Sequence, residues 1–120
     1  MIRPDTARRV AAVFGVLGVA LGAFGAHALK ARLALNGTAA IWDKAVLYHF
    51  IHTIMLYVLA GRPAAAWWCF LAGIVIFSGS LYLLAATNGL WLGAITPVGG
   101  VGFIAGWCLL AGRRKGGSED

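Results

Sequence analysis

Between Pro63 and Gly112 lie fifty consecutive residues without Asp, Glu, Lys or Arg. One helix rises 1.5 Å per residue and needs only about 20 residues to cross a hydrocarbon core of about 30 Å, so this run suits two spans joined by a turn. The turn is expected at Thr87, Asn88 and Gly89, because Asn and Gly take the left-handed conformation in which helices end. Upstream, Val10–Leu29 supplies twenty residues free of Asp, Glu, Lys and Arg, and Ala45–Gly61, entered through Trp42, Asp43 and Lys44, supplies a shorter apolar stretch ending at Arg62 and Pro63. In lipid each span must satisfy its own backbone hydrogen bonds, so helices are expected, and alternating ten-residue strands are absent. The expectation is an all-α membrane protein, one domain over residues 1–120, with four transmembrane helices in a compact bundle at about 8–29, 42–61, 64–86 and 91–111 and a polar cytoplasmic tail at 113–120.

Composition closes the other routes. Hydrophobic residues make up 61% of the chain and charged residues 12%, against about 25% charged in a soluble domain, so no water-facing shell can be built. Disordered chains are poor in apolar residues, and two cysteines do not make a disulfide scaffold. The net charge of +6 follows from topology: Arg3, Arg8, Arg9, Arg62, Arg113, Arg114 and Lys115 flank one side, and Lys30, Arg32 and Lys44 the other. Both termini are therefore expected in the cytoplasm, in a multi-pass protein of a bacterial-type inner membrane, with the lipid bilayer as partner and no nucleic acid. Trp42, Trp67, Trp68, Trp91 and Trp107 all fall near predicted helix ends, where indoles gather at membrane surfaces. Arg8 and Arg9, the apolar run and Ala26-His27-Ala28 also fit a cleaved signal peptide that would leave three spans, but the run is longer than a usual signal core.

Helices in lipid associate where small residues let backbones approach. Gly15, Gly18, Gly22 and Gly25 form one groove on the first helix, Gly99, Gly102 and Gly106 a second on the last, and Cys69, Gly73 and Ser80 a sparser third. Two such grooves in so small a chain suggest self-association as well as internal packing, hence a homo-oligomer or a complex with another membrane protein. Pro97 is expected to kink the last helix, with Thr96 bonding the carbonyls it frees.

Ionisable groups inside a membrane are costly and are functional candidates by default. His49 and His52 share a face of the second helix near mid-membrane, Tyr48 lies beside them, and His27 sits near the outer end of the first helix. Imidazole suits a metal, a haem or a proton-linked ligand, although the histidine pair needs further ligands that Cys69 and Cys108, near the opposite ends of their helices, do not supply. The competing reading is a buried hydrogen-bond network with Tyr48, Ser78, Ser80, Tyr82 or Thr96 that fixes helix register. No phosphate loop, His-Glu-x-x-His, paired intramembrane carboxylates or nucleophile elbow is present, and neither a metal nor a cofactor is specified.

Four ordered segments, Gly22-Ala23-Phe24-Gly25-Ala26-His27, Tyr48-His49-x-x-His52, Phe77-Ser78-Gly79-Ser80-Leu81-Tyr82 and Thr96-Pro97-Val98-Gly99-Gly100, resemble the small membrane proteins of domain of unknown function 423, similar to the transmembrane-protein-256 group. The resemblance runs from about Ala11 to Leu110. It implies a four-helix inner-membrane protein with an uncleaved first span and no assigned activity. It also implies Gln in place of His49 in some relatives, which ranks His27 and His52 above His49 for any shared role. The expected function is a small oligomeric, non-enzymatic bundle whose outer-half cluster of His27, His49, His52, Tyr48, Ser78, Ser80, Tyr82 and Thr96 binds or passes a small ligand. The alternatives are an accessory or assembly subunit with structural histidines and, third, a metal- or haem-binding membrane protein.

Overall fold

The computed structural model describes residues 2–113; the expected polar tail lies outside them apart from Arg113. The chain runs α1 (Pro4–Ala26), α2 (Lys30–Asn36), α3 (Ala39–Val58), α4 (Ala65–Gly73), a single π-helical stretch (Ile74–Ser78), α5 (Gly79–Thr87), a 3-10 stretch (Leu90–Ala94) and α6 (Thr96–Ala111), with no strand among the described residues. α4, the π stretch and α5 form one continuous rod, and the 3-10 stretch leads into α6. Three helical rods, Pro4–Ala26, Ala65–Thr87 and Leu90–Ala111, are long and apolar enough to cross a membrane. α3 is 20 residues long and carries Asp43, Lys44, His49 and His52, and it is not among those three.

α3 is the central element, packing against α1 on one side and against α4, the π stretch and α5 on the other, while α6 lies along α4. Two buried clusters mark the two ends. One joins Ala7 of α1, Leu56 of α3, Trp67 and Phe70 of α4 and Phe103 of α6, with Leu110 packed against it. The other joins Leu33, Trp42 and Ala85. The start of α1 and the end of α6 therefore lie at the same end of the molecule.

The glycine grooves are filled from within the chain. A Cβ on Gly15, Gly18, Gly22 or Gly25 would meet in turn Thr53, Phe50, Val46 and Trp42, four residues of α3 running antiparallel to α1. On α6, Gly99 lies against the Phe77 backbone, Gly102 against Cys69 and Gly73, and Gly106 against the ring of Phe70. These seams are internal helix contacts, the packing role expected of them, in which the small residues serve backbone approach inside one molecule.

Three further expectations change. Pro97 does not bend a helix from within: it stands in the first turn of α6, where its missing N–H costs nothing, and the irregularity is the change from 3-10 to α geometry at Ile95. Thr96 Oγ1 donates to the Leu92 carbonyl at 3.3 Å, which already accepts the Ile95 N–H at 3.0 Å and so is not one that Pro97 frees. Trp42 and Trp67 are buried at 3% and 0% exposure instead of facing a membrane surface. Each indole N–H finds a backbone acceptor, Leu21 O at 2.9 Å and Leu56 O at 3.0 Å, which is what permits the burial. Finally, α2 is an element additional to the four expected helices. It is a polar seven-residue helix ended by Gly37 at φ 69°, and it is anchored by buried Leu33 and by Asn36 Nδ2 and Thr38 Oγ1, which donate to the Ala85 carbonyl at 3.1 and 2.7 Å. The turn at Asn88, with φ 58°, is as expected.

Candidate functional site

The two histidines of α3 share one helix face in sequence but face different neighbours. His49 lies between α1 and α5. Its Nε2 is 2.8 Å from the Phe14 carbonyl and its Nδ1 2.8 Å from the Tyr82 hydroxyl. A carbonyl only accepts, so Nε2 carries the proton and the Tyr82 O–H donates to Nδ1. His52 faces α4 and α6. Its Nδ1 is 2.8 Å from the Tyr48 carbonyl, and the Trp107 indole N–H donates to its Nε2 at 3.0 Å. Here the proton must be on Nδ1. The two rings are thus held as opposite tautomers, with both nitrogens of each engaged.

The surroundings of His52 are aromatic. The Phe103 ring stacks on it at a centroid distance of 3.6 Å and an interplanar angle of 9°, and the Phe70 ring tilts against it at 5.3 Å. Gly73 gives Phe103 its room on α4, and Gly106 gives Phe70 its room on α6. The reciprocal fit is written in the chain as Phe70-Leu71-Ala72-Gly73 and Phe103-Ile104-Ala105-Gly106, a repeated Phe-x-x-Gly unit on antiparallel helices. That repeat is the signal by which Phe70, Phe103 and Trp107 could have been placed beside His52 from sequence.

The serines sit at the π stretch. The Gly79 N–H reaches back five residues to the Ile74 carbonyl, a spacing that inserts one residue into the turn. Ser78 and Ser80, two residues apart, face opposite neighbours. Buried Ser78 donates to the Ala45 carbonyl of α3 at 2.8 Å. Ser80 Oγ lies 2.6 Å from Thr96 Oγ1 and 3.0 Å from the Phe77 carbonyl, tying α5 to α6.

The expected cluster is therefore not one site. His49 joins Tyr82, His52 joins Trp107, Ser80 joins Thr96, and Ser78 joins backbone. Tyr48 is 37% exposed, with its ring over Phe77 at 4.8 Å. His27 is exposed just past the end of α1, apart from the others. Among the described residues no three of His, Cys, Asp and Glu converge as a metal site. Cys69 is half-buried and Cys108 exposed, both as free thiols. One buried side-chain polar atom among the described residues has no partner, Thr53 Oγ1 at the α1–α3 contact.

None of His27, Tyr48, His49, His52, Ser78, Ser80, Tyr82 and Thr96 lines the cleft at the end of the bundle marked by Trp67 and Leu110. That cleft, of about 200 Å³, opens between the end of α3, the start of α4 and the end of α6, with Arg62 and Arg113 beside Leu59, Trp67, Leu109 and Leu110.

Comparison with known proteins agrees with the resemblance read from the four segments. The family described as protein of unknown function, DUF423, matches residues 21–100. The chain is 43% identical over 108 residues to the UPF0382 membrane protein YwdK of Bacillus subtilis, covering 82% of this chain and 87% of that protein. It is 42% identical over 124 residues to the UPF0382 inner membrane protein YgdD of Escherichia coli K12, covering 92% and 93%. No solved structure matches.

Proposed function

The chain belongs to the DUF423 family of membrane proteins of unknown function, and on that premise we propose that it is a non-enzymatic four-span bundle acting through its outer surface, as an accessory component of the membrane, with structural histidines. Its residence in the inner membrane agrees with the three apolar rods and with the inner-membrane naming of the Escherichia coli relative. α3 is taken as the fourth span: its 20 residues rise about 30 Å, and its polar groups at mid-length bond inside the molecule. The shared end of α1 and α6 carries the larger share of cations, so that end is assigned to the cytoplasm.

The observation that carries this reading is that both nitrogens of His49 and of His52 are engaged within the chain. A ring in that state offers no lone pair to a metal or a haem iron. It cannot take up a proton without giving up the bond its free nitrogen accepts. Polar groups of this kind act as glue between helices. A bundle that passes or binds a small ligand through the same residues has less behind it, because they form separate contacts and none lines the described cleft. The glycine faces that favoured a second chain are occupied, so contact with a partner falls to the lipid-facing side chains, such as Val16, Val19 and Phe24 of α1.

Two arms test the proposal. A cysteine introduced at Val16 and cross-linked in native membranes should trap one stoichiometric membrane partner, and vesicles containing the purified protein should hold a proton gradient as well as empty ones. A pH-dependent flux that His52→Ala abolishes with the helix content intact would replace this reading by ligand passage.

A further inference from the structure

We propose that the cleft between α3, α4 and α6 binds the headgroup of an anionic phospholipid, with the phosphate held by Arg62 and Arg113 and the upper acyl chain laid against Leu59, Trp67, Leu109 and Leu110. This goes beyond the surface-acting role above and stands whether or not a protein partner exists, since it needs only residence in a membrane.

Three features converge on the assignment. The two arginines come from separate stretches, one from the turn after α3 and one from just past the end of α6, yet both line one concavity and both are exposed. Guanidinium is the side chain best matched to a phosphate, which it can bind through two parallel N–H donors. The other residues of the lining, among them Leu59, Trp67, Leu109 and Leu110, are apolar. The single donor of Trp67 is already spent on the Leu56 carbonyl, so the indole offers an apolar surface there. A free phosphate gains nothing from such walls, whereas a lipid that carries its own hydrocarbon does.

The third feature is the start of α4, where the N-cap residue Ala64 and the first helical residues Ala65 and Ala66 form part of the wall. No side chain caps that helix end, and its backbone N–H groups favour an anion. The cleft also lies at the end marked by Ala7, Trp67 and Leu110, where the described cations are more numerous. Asp5, near the same end, is held by Arg8 at 3.1 Å. Basic pockets between helices at a cytoplasmic membrane face are the sequence-readable form of anionic-lipid recognition.

The experiment uses the full chain in neutral detergent, titrated with dioleoylphosphatidylglycerol, with dioleoylphosphatidylcholine and with inorganic phosphate, and read by native mass spectrometry and by thermal stability. Phosphatidylglycerol should bind and stabilise the protein, and phosphatidylcholine and phosphate should do so much less. Arg62→Gln with Arg113→Gln should weaken phosphatidylglycerol binding by roughly thirtyfold, the loss expected for two basic groups at a membrane surface. Arg3→Gln with Arg9→Gln removes the same charge from the same end but outside the cleft and should cost less than about threefold, because solvent screens exposed charges that do not touch the lipid. Ala65→Phe, at an exposed wall position, leaves every charge in place and should also abolish the preference by filling the cleft. Equal losses in the two arginine pairs would show diffuse attraction and overturn the proposal. Unchanged binding by Ala65→Phe would do the same, as would inorganic phosphate alone matching the lipid.

Discussion

At the level of single residues, the polar interior behaves as a set of interhelical ties. The hydroxyl of Tyr82 serves only to satisfy His49. Tyr82→Phe should therefore lower stability by about 0.6 kcal/mol and by no more than about 1.7 kcal/mol, the average and the maximum measured for hydrogen bonds between membrane helices. Unfolding in a rising mole fraction of sodium dodecyl sulfate checks it, and no measurable loss would remove Tyr82 from the network. Thr53 is the converse case. Its buried hydroxyl lacks a partner, so the isosteric Thr53→Val should be neutral or stabilising by about 1 kcal/mol in the same assay. The sequence made the identity of the polar residues legible but not their pairing. His49 and His52 were visible as a pair on one face, yet one turns toward α1 and α5 and the other toward α4 and α6, because the choice depends on which helices flank α3. The acceptors that fix the tautomers, the Phe14 and Tyr48 carbonyls, are backbone atoms that no side-chain pattern reveals.

At the level of elements, helix boundaries were read to within a few residues wherever charge or a turn residue marked them, as at Asn88 and Pro63. Two elements were not legible. The π stretch has no composition of its own, since it is a change in hydrogen-bond spacing within an apolar run, and α2 is too short and polar for its periodicity to stand out. The glycines were visible as grooves, but their occupants were not. Neighbours now separate them by consequence. Gly99 lies against the backbone of Phe77, which cannot swing aside, so Gly99→Ala should cost about 1–3 kcal/mol as α6 is pushed from the π stretch. Gly79 meets nothing within 4 Å. Gly79→Ala should instead stabilise by about 0.5–1 kcal/mol through reduced backbone entropy in the unfolded chain. Parallel unfolding curves of the two variants test this ordering, and a reversed order would contradict the packing of α6 on the π stretch.

Across the whole molecule, the α1–α3 glycine seam and the α4–α6 seam with its paired Phe-x-x-Gly units lock the bundle from inside. Gly18→Leu with Gly22→Leu should accordingly unfold or loosen α1 from α3, where Phe50 and Val46 now sit, without a change of subunit number in any fraction that stays folded. Dissociation into smaller, still folded species on size exclusion would restore the grooves to an intermolecular role. The account rests most heavily on the two buried imidazoles, His49 and His52, each fully engaged by its own chain. Nitrogen-15 NMR of the histidine rings in the detergent-solubilised protein tests this directly. It should report one bonded proton on each buried ring, on Nε2 of His49 and on Nδ1 of His52, unchanged when zinc or haem is added. The same tautomer at both rings, or a shift of either ring on adding metal, would contradict it.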